Sequence, residues 1–178
     1  NLGKRIDYLI RYPHGCIEQV TSAAFAQLNL DLLLNLPQDR QDQIESHIKA
    51  AIERLHSFQT ATGGFTYWPG ESAGHYWASN YAGHFLLDAQ VKGYAIPAGM
   101  LSQWEKFQRN AALSWTPEGD RAHLIQAYRL YTLARAGAPE LGAMNRLRET
   151  KDLTTVARWR LASAYQLASQ SEAARALA

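Results

Sequence analysis

The sequence predicts an all-α fold, an α/α toroid of antiparallel helix hairpins. Segment 40–58 repeats its apolar residues at steps of three and four, which is the pattern of an amphipathic helix. Prolines fall between the periodic segments, and no stretch alternates in polarity over the length of a core strand. Short connections between the predicted helices favour antiparallel neighbours, and an α-solenoid is the other all-α arrangement that fits.

Breaks in the periodic pattern set the boundaries of the predicted helices. Segment 16–36 is apolar on nearly every side, which predicts a helix buried among others. Asp120 and Asp152 are predicted N-caps, and Gly93 and Gly137 are predicted to end helices. The predicted helices are 3–11, 16–36, 40–58, 77–93, 98–112, 119–136, 140–148, 153–168 and 171–178.

Length and composition restrict the class of protein. The chain has 178 residues, enough for one domain with a sizeable core, and a formal net charge of +2. That charge is too small to indicate nucleic acid or an anionic membrane surface as a partner. No apolar run approaches a membrane span, so direct membrane insertion is not expected. We expect residues 1–178 to form one helical domain of a longer protein, since no initiator methionine or signal peptide begins the chain.

The composition also argues against several kinds of site. The single cysteine, Cys16, excludes an intramolecular disulfide framework and a cysteine-rich zinc site. The sequence contains no His/Glu zinc motif, and the paired carboxylates of a glycosidase are not evident. We therefore expect neither a metal nor a cofactor.

Cys16 and Gln19 form the most informative pair in the sequence. Pro13 and Gly15 break any regular structure before them, so the next helix is expected to begin near Cys16. At a helix N-terminus the helix dipole favours a thiolate. Side chains three residues apart share a helix face, so the Cys16 sulfur can reach the side-chain carbonyl carbon of Gln19. Attack with loss of ammonia would give an internal thioester, which survives only where water is excluded. On this spacing alone, an inert packed cysteine is the competing interpretation.

The longer string YPHGCIEQVTSAAF resembles the thioester motif of the alpha-2-macroglobulin and complement family. Bacterial members carry Tyr-Pro-x-Gly-Cys-x-Glu-Gln followed by Thr-Ser. Ile17 stands where the animal proteins have a second glycine. The stretch GGFTYWPG (63–70), read by itself as a short hairpin or an extended loop, resembles a turn between helices of that domain. The matching residues are Tyr12, Pro13, Gly15, Cys16, Glu18, Gln19, Thr21 and Ser22.

The resemblance implies the thioester domain of a bacterial protease trap. A protease cleaves a bait region elsewhere in the parent protein, and the exposed thioester then acylates a lysine amine of that protease. This event is single-use, so no enzyme activity is expected. The resemblance also implies a toroid, with this chain short of the family's number of hairpins, and flanking domains that shield the bond. It further implies a periplasmic or cell-surface location in a bacterium, with a lipid anchor elsewhere in the parent as an additional expectation.

Several other residues are candidates for supporting roles. In complement-type relatives a histidine takes the acyl group first. His84 and His75, with Trp77 and Tyr81, are the candidates here for acyl transfer or shielding, although packing roles are the competing interpretation for each. Glu18 is expected to cap backbone N–H groups of the first turn and is also a candidate for proton transfer.

Two alternative functions remain open at this level. A cysteine-nucleophile enzyme would pair Cys16 with a histidine such as His84, oriented by Asn80 or Asp88. A helical binding scaffold would leave Cys16 inert. The reactivity of Cys16 distinguishes the three hypotheses.

Overall fold

The computed structural model describes residues 9–118 and 121–177, and the regular structure there is helical. One isolated antiparallel bridge joins Gln59 to Phe65, and no β-sheet forms among these residues. The predicted all-α class is therefore confirmed. In chain order the elements are α1 (Ile17–Leu28), a 3₁₀ turn (Leu30–Leu32), α2 (Gln38–His56), α3 (Tyr76–Val91), α4 (Met100–Leu113), α5 (Ala122–Arg135), α6 (Leu141–Arg148), α7 (Thr155–Leu167) and α8 (Ser171–Arg175).

The chain divides into two compact units, Asn1–Leu101 and Ser102–Ala178. Within the described ranges, none of the helices combines the length and apolarity that crossing a bilayer requires.

In the first unit, α1 and α2 form an antiparallel hairpin. Arg54, near the end of α2, donates a hydrogen bond to the carbonyl oxygen of Gly15, just before α1 (3.4 Å). Gln27, in the last turn of α1, meets His47 in the middle of α2 (2.9 Å). The start of α1 thus faces the end of α2, which is the orientation that short connections favour.

Helix α3 runs parallel to α1. The hydroxyl of Tyr81 lies 3.1 Å from that of Ser22. Three residues further along each helix, the rings of Phe25 and His84 meet edge-on with centroids 5.1 Å apart. Because these contacts advance in the same direction along both helices, the axes of α1 and α3 point the same way. Antiparallel sequential helices with parallel alternate helices agree with the predicted toroid arrangement.

The second unit is built around α5 and α7. Arg158, in the first turn of α7, donates to the carbonyl oxygen of Leu177 beyond α8 (3.0 Å), so α7 and α8 form a hairpin. Arg129 is almost completely buried and donates to the side-chain carbonyls of Gln108 (3.2 Å) and Gln126. The two amide oxygens accept hydrogen bonds from the guanidinium, which is buried away from water. Large side chains of this core are Leu130, Leu133, Met144, Leu147, Leu161 and Tyr165.

Two local predictions are wrong. The helix predicted over 16–36 ends at Leu28, and Leu32 and Leu33 are 72% and 77% exposed, because the chain turns after Asn29 and the apolar residues no longer share the buried face. Asp152 does not cap α7: its backbone is left-handed (φ 61°), and the Thr154 hydroxyl accepts the N–H of Ala157 instead (3.3 Å).

Other local predictions are confirmed or lie outside the described residues. Gly93 and Gly137 follow α3 and α5 with φ of 90° and 79°, as expected for residues that end helices. The predicted helix over 3–11 lies largely outside the described residues, and so does the predicted cap Asp120.

A buried polar contact fastens α1 to α2. His47 is buried, and its Nδ1 lies 2.9 Å from Oε1 of Gln27. The Gln27 amide nitrogen donates to the carbonyls of Arg11 (2.8 Å) and Ala23 (3.0 Å), so its oxygen accepts a hydrogen bond from the N–H at Nδ1 of His47. Burial lowers the pKa of His47. The folded state therefore favours a neutral imidazole at this position.

We expect the chain to lose stability as pH falls below 6.5. The unfolded state takes up a proton near the ordinary histidine value of 6.5, whereas folded His47 resists protonation until a lower pH. Its stabilisation is therefore full above pH 6.5 and is lost between 6.5 and the lowered folded value. Urea unfolding at neutral and mildly acidic pH measures the change. His47→Gln should flatten the dependence, and the exposed His56→Gln should keep it. An unchanged dependence in His47→Gln would contradict this assignment.

Candidate functional site

The Cys16–Gln19 motif lies at the start of α1. Cys16 is the N-cap residue, with φ −72° and ψ 170°, and Gln19 occupies the third helical position. The side-chain oxygen Oε1 of Gln19 accepts a hydrogen bond from the backbone N–H of Cys16 (3.1 Å). The Gln19 side chain therefore folds back over the helix start and carries its amide group to Cys16. The spacing of three residues thus brings the Gln19 amide to the backbone of Cys16.

Gly15 is required by this arrangement for two separate reasons. Its φ of 99° lies in the left-handed region that side chains disfavour. A Cβ at this position would also stand 1.9 Å from Oε1 of Gln19 and 2.8 Å from Cδ. The Gln19 amide therefore occupies the space that any larger residue at position 15 would need.

The hydrogen bond to Cys16 N–H polarises the Gln19 carbonyl. A nucleophile that attacks Cδ develops negative charge on Oε1, and a fixed N–H donor at that oxygen stabilises such charge. The helix N-terminus adds the same sign of potential. Cys16 is half-buried and Gln19 is exposed in this chain. The geometry thus places a hydrogen-bond donor on the oxygen at which negative charge would develop, in a side chain that is exposed.

Tyr67, in the loop before α3, holds the first turn of α1 through two hydrogen bonds. Its backbone carbonyl accepts from the N–H of Ile17 (3.2 Å), and its phenol donates to Oε1 of Glu18 (3.1 Å). Burial raises the pKa of Tyr67, and the hydrogen bond and charge of Glu18 raise it further, with a smaller contribution from Cys16. The phenol therefore stays protonated and acts as a donor to the Glu18 carboxylate.

Glu18 has a different partner from the one that the sequence suggested. Within the described residues, its carboxylate accepts a hydrogen bond from Tyr67 and none from the backbone N–H groups of α1. The expected side-chain cap is therefore not made. The carboxylate instead links the motif to a segment almost fifty positions away in sequence.

The conformation of this loop is fixed by its own contacts. Oε2 of Glu71 accepts the backbone N–H groups of Tyr67 (3.0 Å) and Trp68 (3.2 Å). The backbone N–H of His75 donates to the carbonyl of Phe65 (2.7 Å), and the His75 ring meets the Tyr67 ring edge-on at 4.5 Å. Tyr67 is therefore held from its backbone and from its ring.

The other predicted residues lie at different distances from the motif. Pro13 is buried, and Tyr12 is 57% exposed and packs edge-on against His47 of α2 (5.8 Å). His75 approaches the motif through Tyr67 and also accepts the N–H of Ala78 as the N-cap of α3 (3.4 Å).

The structure does not bring His84 to Cys16. The His84 ring packs against Phe25 in the third turn of α1, and its Nε2 faces the Asp88 carboxylate at 3.7 Å. Phe25 lies roughly 13 Å along the helix from Cys16 at about 1.5 Å per residue. Tyr81 likewise contacts the second turn of α1 at Ser22, and Trp77 is half-buried in the first turn of α3. The Cys16–His84 pairing that a cysteine enzyme would need is not built.

Sequence reasoning missed three residues that contact the motif or its loop. These are Tyr67, Glu71 and Arg54. The signal for Glu71 was an acidic residue four positions after Tyr67 in a Gly- and Pro-containing loop, where a carboxylate can close a turn. No sequence signal links Arg54 to Gly15, because 39 positions separate them.

Comparison with known proteins gives a consistent result. No protein-family model matches the chain. The chain is 31% identical over 150 residues to an alpha-2-macroglobulin of Xylella fastidiosa, covering 78% of this chain and 9% of the relative. It is 26% identical over 161 residues to the alpha-2-macroglobulin of Escherichia coli, covering 84% of this chain and 10% of the relative. The chain thus spans about a tenth of the length of these relatives.

Solved structures share the fold. The native conformation of E. coli alpha-2-macroglobulin superimposes with a TM-score of 0.83 at 21% identity, over 98% of this chain and 12% of that protein. A crystal structure of the native E. coli protein from domain MG7 to the C-terminus gives 0.83 at 22% identity, over 99% of this chain and 30% of that one. The chain is therefore homologous, over most of its length, to a segment of the bacterial alpha-2-macroglobulins.

Proposed function

We propose that Cys16 and Gln19 form an internal thioester. The observation that carries the proposal is the placement of the Gln19 carbonyl on the Cys16 N–H, over a glycine that leaves room for it. The Cys16 sulfur attacks Cδ of Gln19, the new Sγ–Cδ bond forms, and the Cδ–N bond breaks. The thiol proton joins the departing nitrogen, which leaves as ammonia, so no oxidant or reductant is needed.

The proposed role of this bond is covalent capture of proteases by a longer parent protein. Relatives of the chain are named alpha-2-macroglobulin, and solved relatives include a Salmonella alpha-2-macroglobulin reacted with methylamine and a trypsin-activated E. coli protein. An amine that opens the thioester forms an amide with Gln19 and frees the Cys16 thiol. A lysine amine of a protease is the corresponding biological nucleophile, and each thioester reacts once, so the domain is a trap rather than an enzyme.

The parent protein must shield the bond until a protease arrives. Gln19 is exposed in this chain, and a thioester at that position would meet water. We assign the shielding to flanking domains of the parent. The parent would act in the periplasm or at the surface of a bacterial cell, with any lipid anchor elsewhere in its chain.

The thioester predicts a specific mass for the parent protein. The full-length parent protein should be lighter than its sequence by one ammonia. Methylamine should add once to this lighter form, which leaves the protein heavier than its sequence by one CH2 group, and should release one thiol. Cys16→Ala should have the full mass and take up no methylamine. A wild-type protein with the full mass and a thiol free from the start would overturn the thioester proposal.

The close approach of Gly15 to the Gln19 amide predicts that a side chain at position 15 reduces thioester formation. Gly15→Ala should reduce the fraction of parent protein that carries the thioester at least tenfold, because the added Cβ displaces the Gln19 amide. Intact mass measures this fraction. Gly93→Ala is the matched control, since Gly93 has a similar φ of 90° but open space where the Cβ would lie. Equal thioester content in both variants would contradict the assigned role of Gly15.

A further inference from the structure

The contact between Glu18 and Tyr67 has no role in the chemistry described so far. Glu18 lies between the two reacting residues in sequence, on the first turn of α1. Its carboxylate accepts a hydrogen bond from the Tyr67 phenol at 3.1 Å, and the Tyr67 carbonyl accepts one from the backbone N–H of the preceding residue, Ile17. Tyr67 therefore forms hydrogen bonds with two adjacent residues of the motif, Ile17 and Glu18. Glu71 and His75 in turn fix Tyr67.

Formation of a thioester requires a proton carrier, and this inference rests on the proposed function. An amide nitrogen is a poor leaving group unless it is protonated, and the attacking thiol must lose its proton. The proton on Sγ must therefore reach the nitrogen of Gln19. A positioned carboxylate is a suitable carrier for such a transfer.

We infer that Glu18 carries this proton between the Cys16 sulfur and the Gln19 nitrogen, and that Tyr67 is the positioning residue that holds the Glu18 carboxylate for the transfer. The carboxylate accepts the proton from Sγ–H as the Sγ–Cδ bond forms. It returns the proton to the nitrogen as the Cδ–N bond breaks, and ammonia leaves. Glu18 ends the step ionised, as it began.

The same route operates in reverse when an amine opens the thioester. Nitrogen attacks Cδ, the Sγ–Cδ bond breaks, and one proton moves from nitrogen through Glu18 to Sγ. Attack by ammonia is the microscopic reverse of formation, and methylamine differs from it by one methyl group. The rate of opening by methylamine therefore reports on the Glu18–Tyr67 pair.

The electrostatic surroundings of Glu18 come from three elements. Tyr67 faces it from the loop, Cys16 precedes it on its own helix, and α2 contributes a cation at the carbonyl of Gly15. In the same loop, the Glu71 carboxylate and the His75 imidazole contact Tyr67. The titratable or charged groups are Cys16, Arg54, Tyr67, Glu71 and His75.

The test measures opening of the thioester by methylamine in the full-length parent protein, with rates expressed per free amine between about pH 5 and 9. Glu18→Gln should slow the reaction about 100-fold, the usual scale of general acid–base catalysis. Tyr67→Phe should slow it about tenfold, the scale of one hydrogen bond to a charged group. In the Glu18→Gln background, Tyr67→Phe should cause no further slowing, because Tyr67 acts through the Glu18 carboxylate.

Tyr165→Phe is the matched control. Tyr165 lies in the second unit and donates a hydrogen bond to Asn145 (2.7 Å), so its variant loses a comparable hydroxyl in the unit that does not contain the motif. It should keep the wild-type rate and pH profile. If Tyr67→Phe fails to fold, Glu18→Gln alone decides.

The outcomes separate this inference from the proposed function. A wild-type protein that carries no thioester overturns the proposed function. Two results overturn only the inference, given a wild-type thioester: Glu18→Gln opening at the wild-type rate, or Tyr67→Phe slowing the Glu18→Gln variant as much as it slows the wild type. Slowing of both single variants, with no further slowing in the double variant, supports the inference.

Discussion

The hydrogen bond from the backbone N–H of Cys16 to Oε1 of Gln19 is the contact on which the functional site depends. It turns an exposed side chain back over the start of α1 and places its carbonyl oxygen on the backbone N–H of Cys16. It also polarises that carbonyl in the direction in which charge would develop. Because the amide then fills the space beside position 15, glycine at that position follows from the same contact. The chemistry of the motif is thus prepared by local helix-start geometry.

Local geometry does not hold the motif in place by itself. The antiparallel pairing of α1 with α2 brings Arg54 to the Gly15 carbonyl, and the loop before α3 brings Tyr67 to Ile17 and Glu18. The buried His47–Gln27 contact fixes the register of the helix pair. An unpaired polar group at that depth would be costly, so the register in which both partners are satisfied is strongly preferred. The fold therefore supports the site from two sides.

The homology and the geometry bear on different questions. Similarity to bacterial alpha-2-macroglobulins covers most of this chain but only about a tenth of those proteins, so it shows which segment of them the chain resembles. The arrangement around Gly15 is the observation that supports the proposed thioester. The exposure of Gln19 indicates that a lasting thioester needs protection from outside this chain. Storage and release of the reactive bond are thus expected to be properties of the parent protein.

The sequence by itself determined the all-α class, most helix positions and the Cys16–Gln19 pair, because periodicity and i, i+3 spacing are local properties. The helix predicted from apolar composition was wrong after Leu28, where the chain turns and leaves Leu32 and Leu33 exposed. Only the tertiary structure decided which distant residues meet the motif. It selected Tyr67 and Arg54 and placed His84 beside Phe25, because those contacts depend on helix register and loop conformation, which no local pattern encodes.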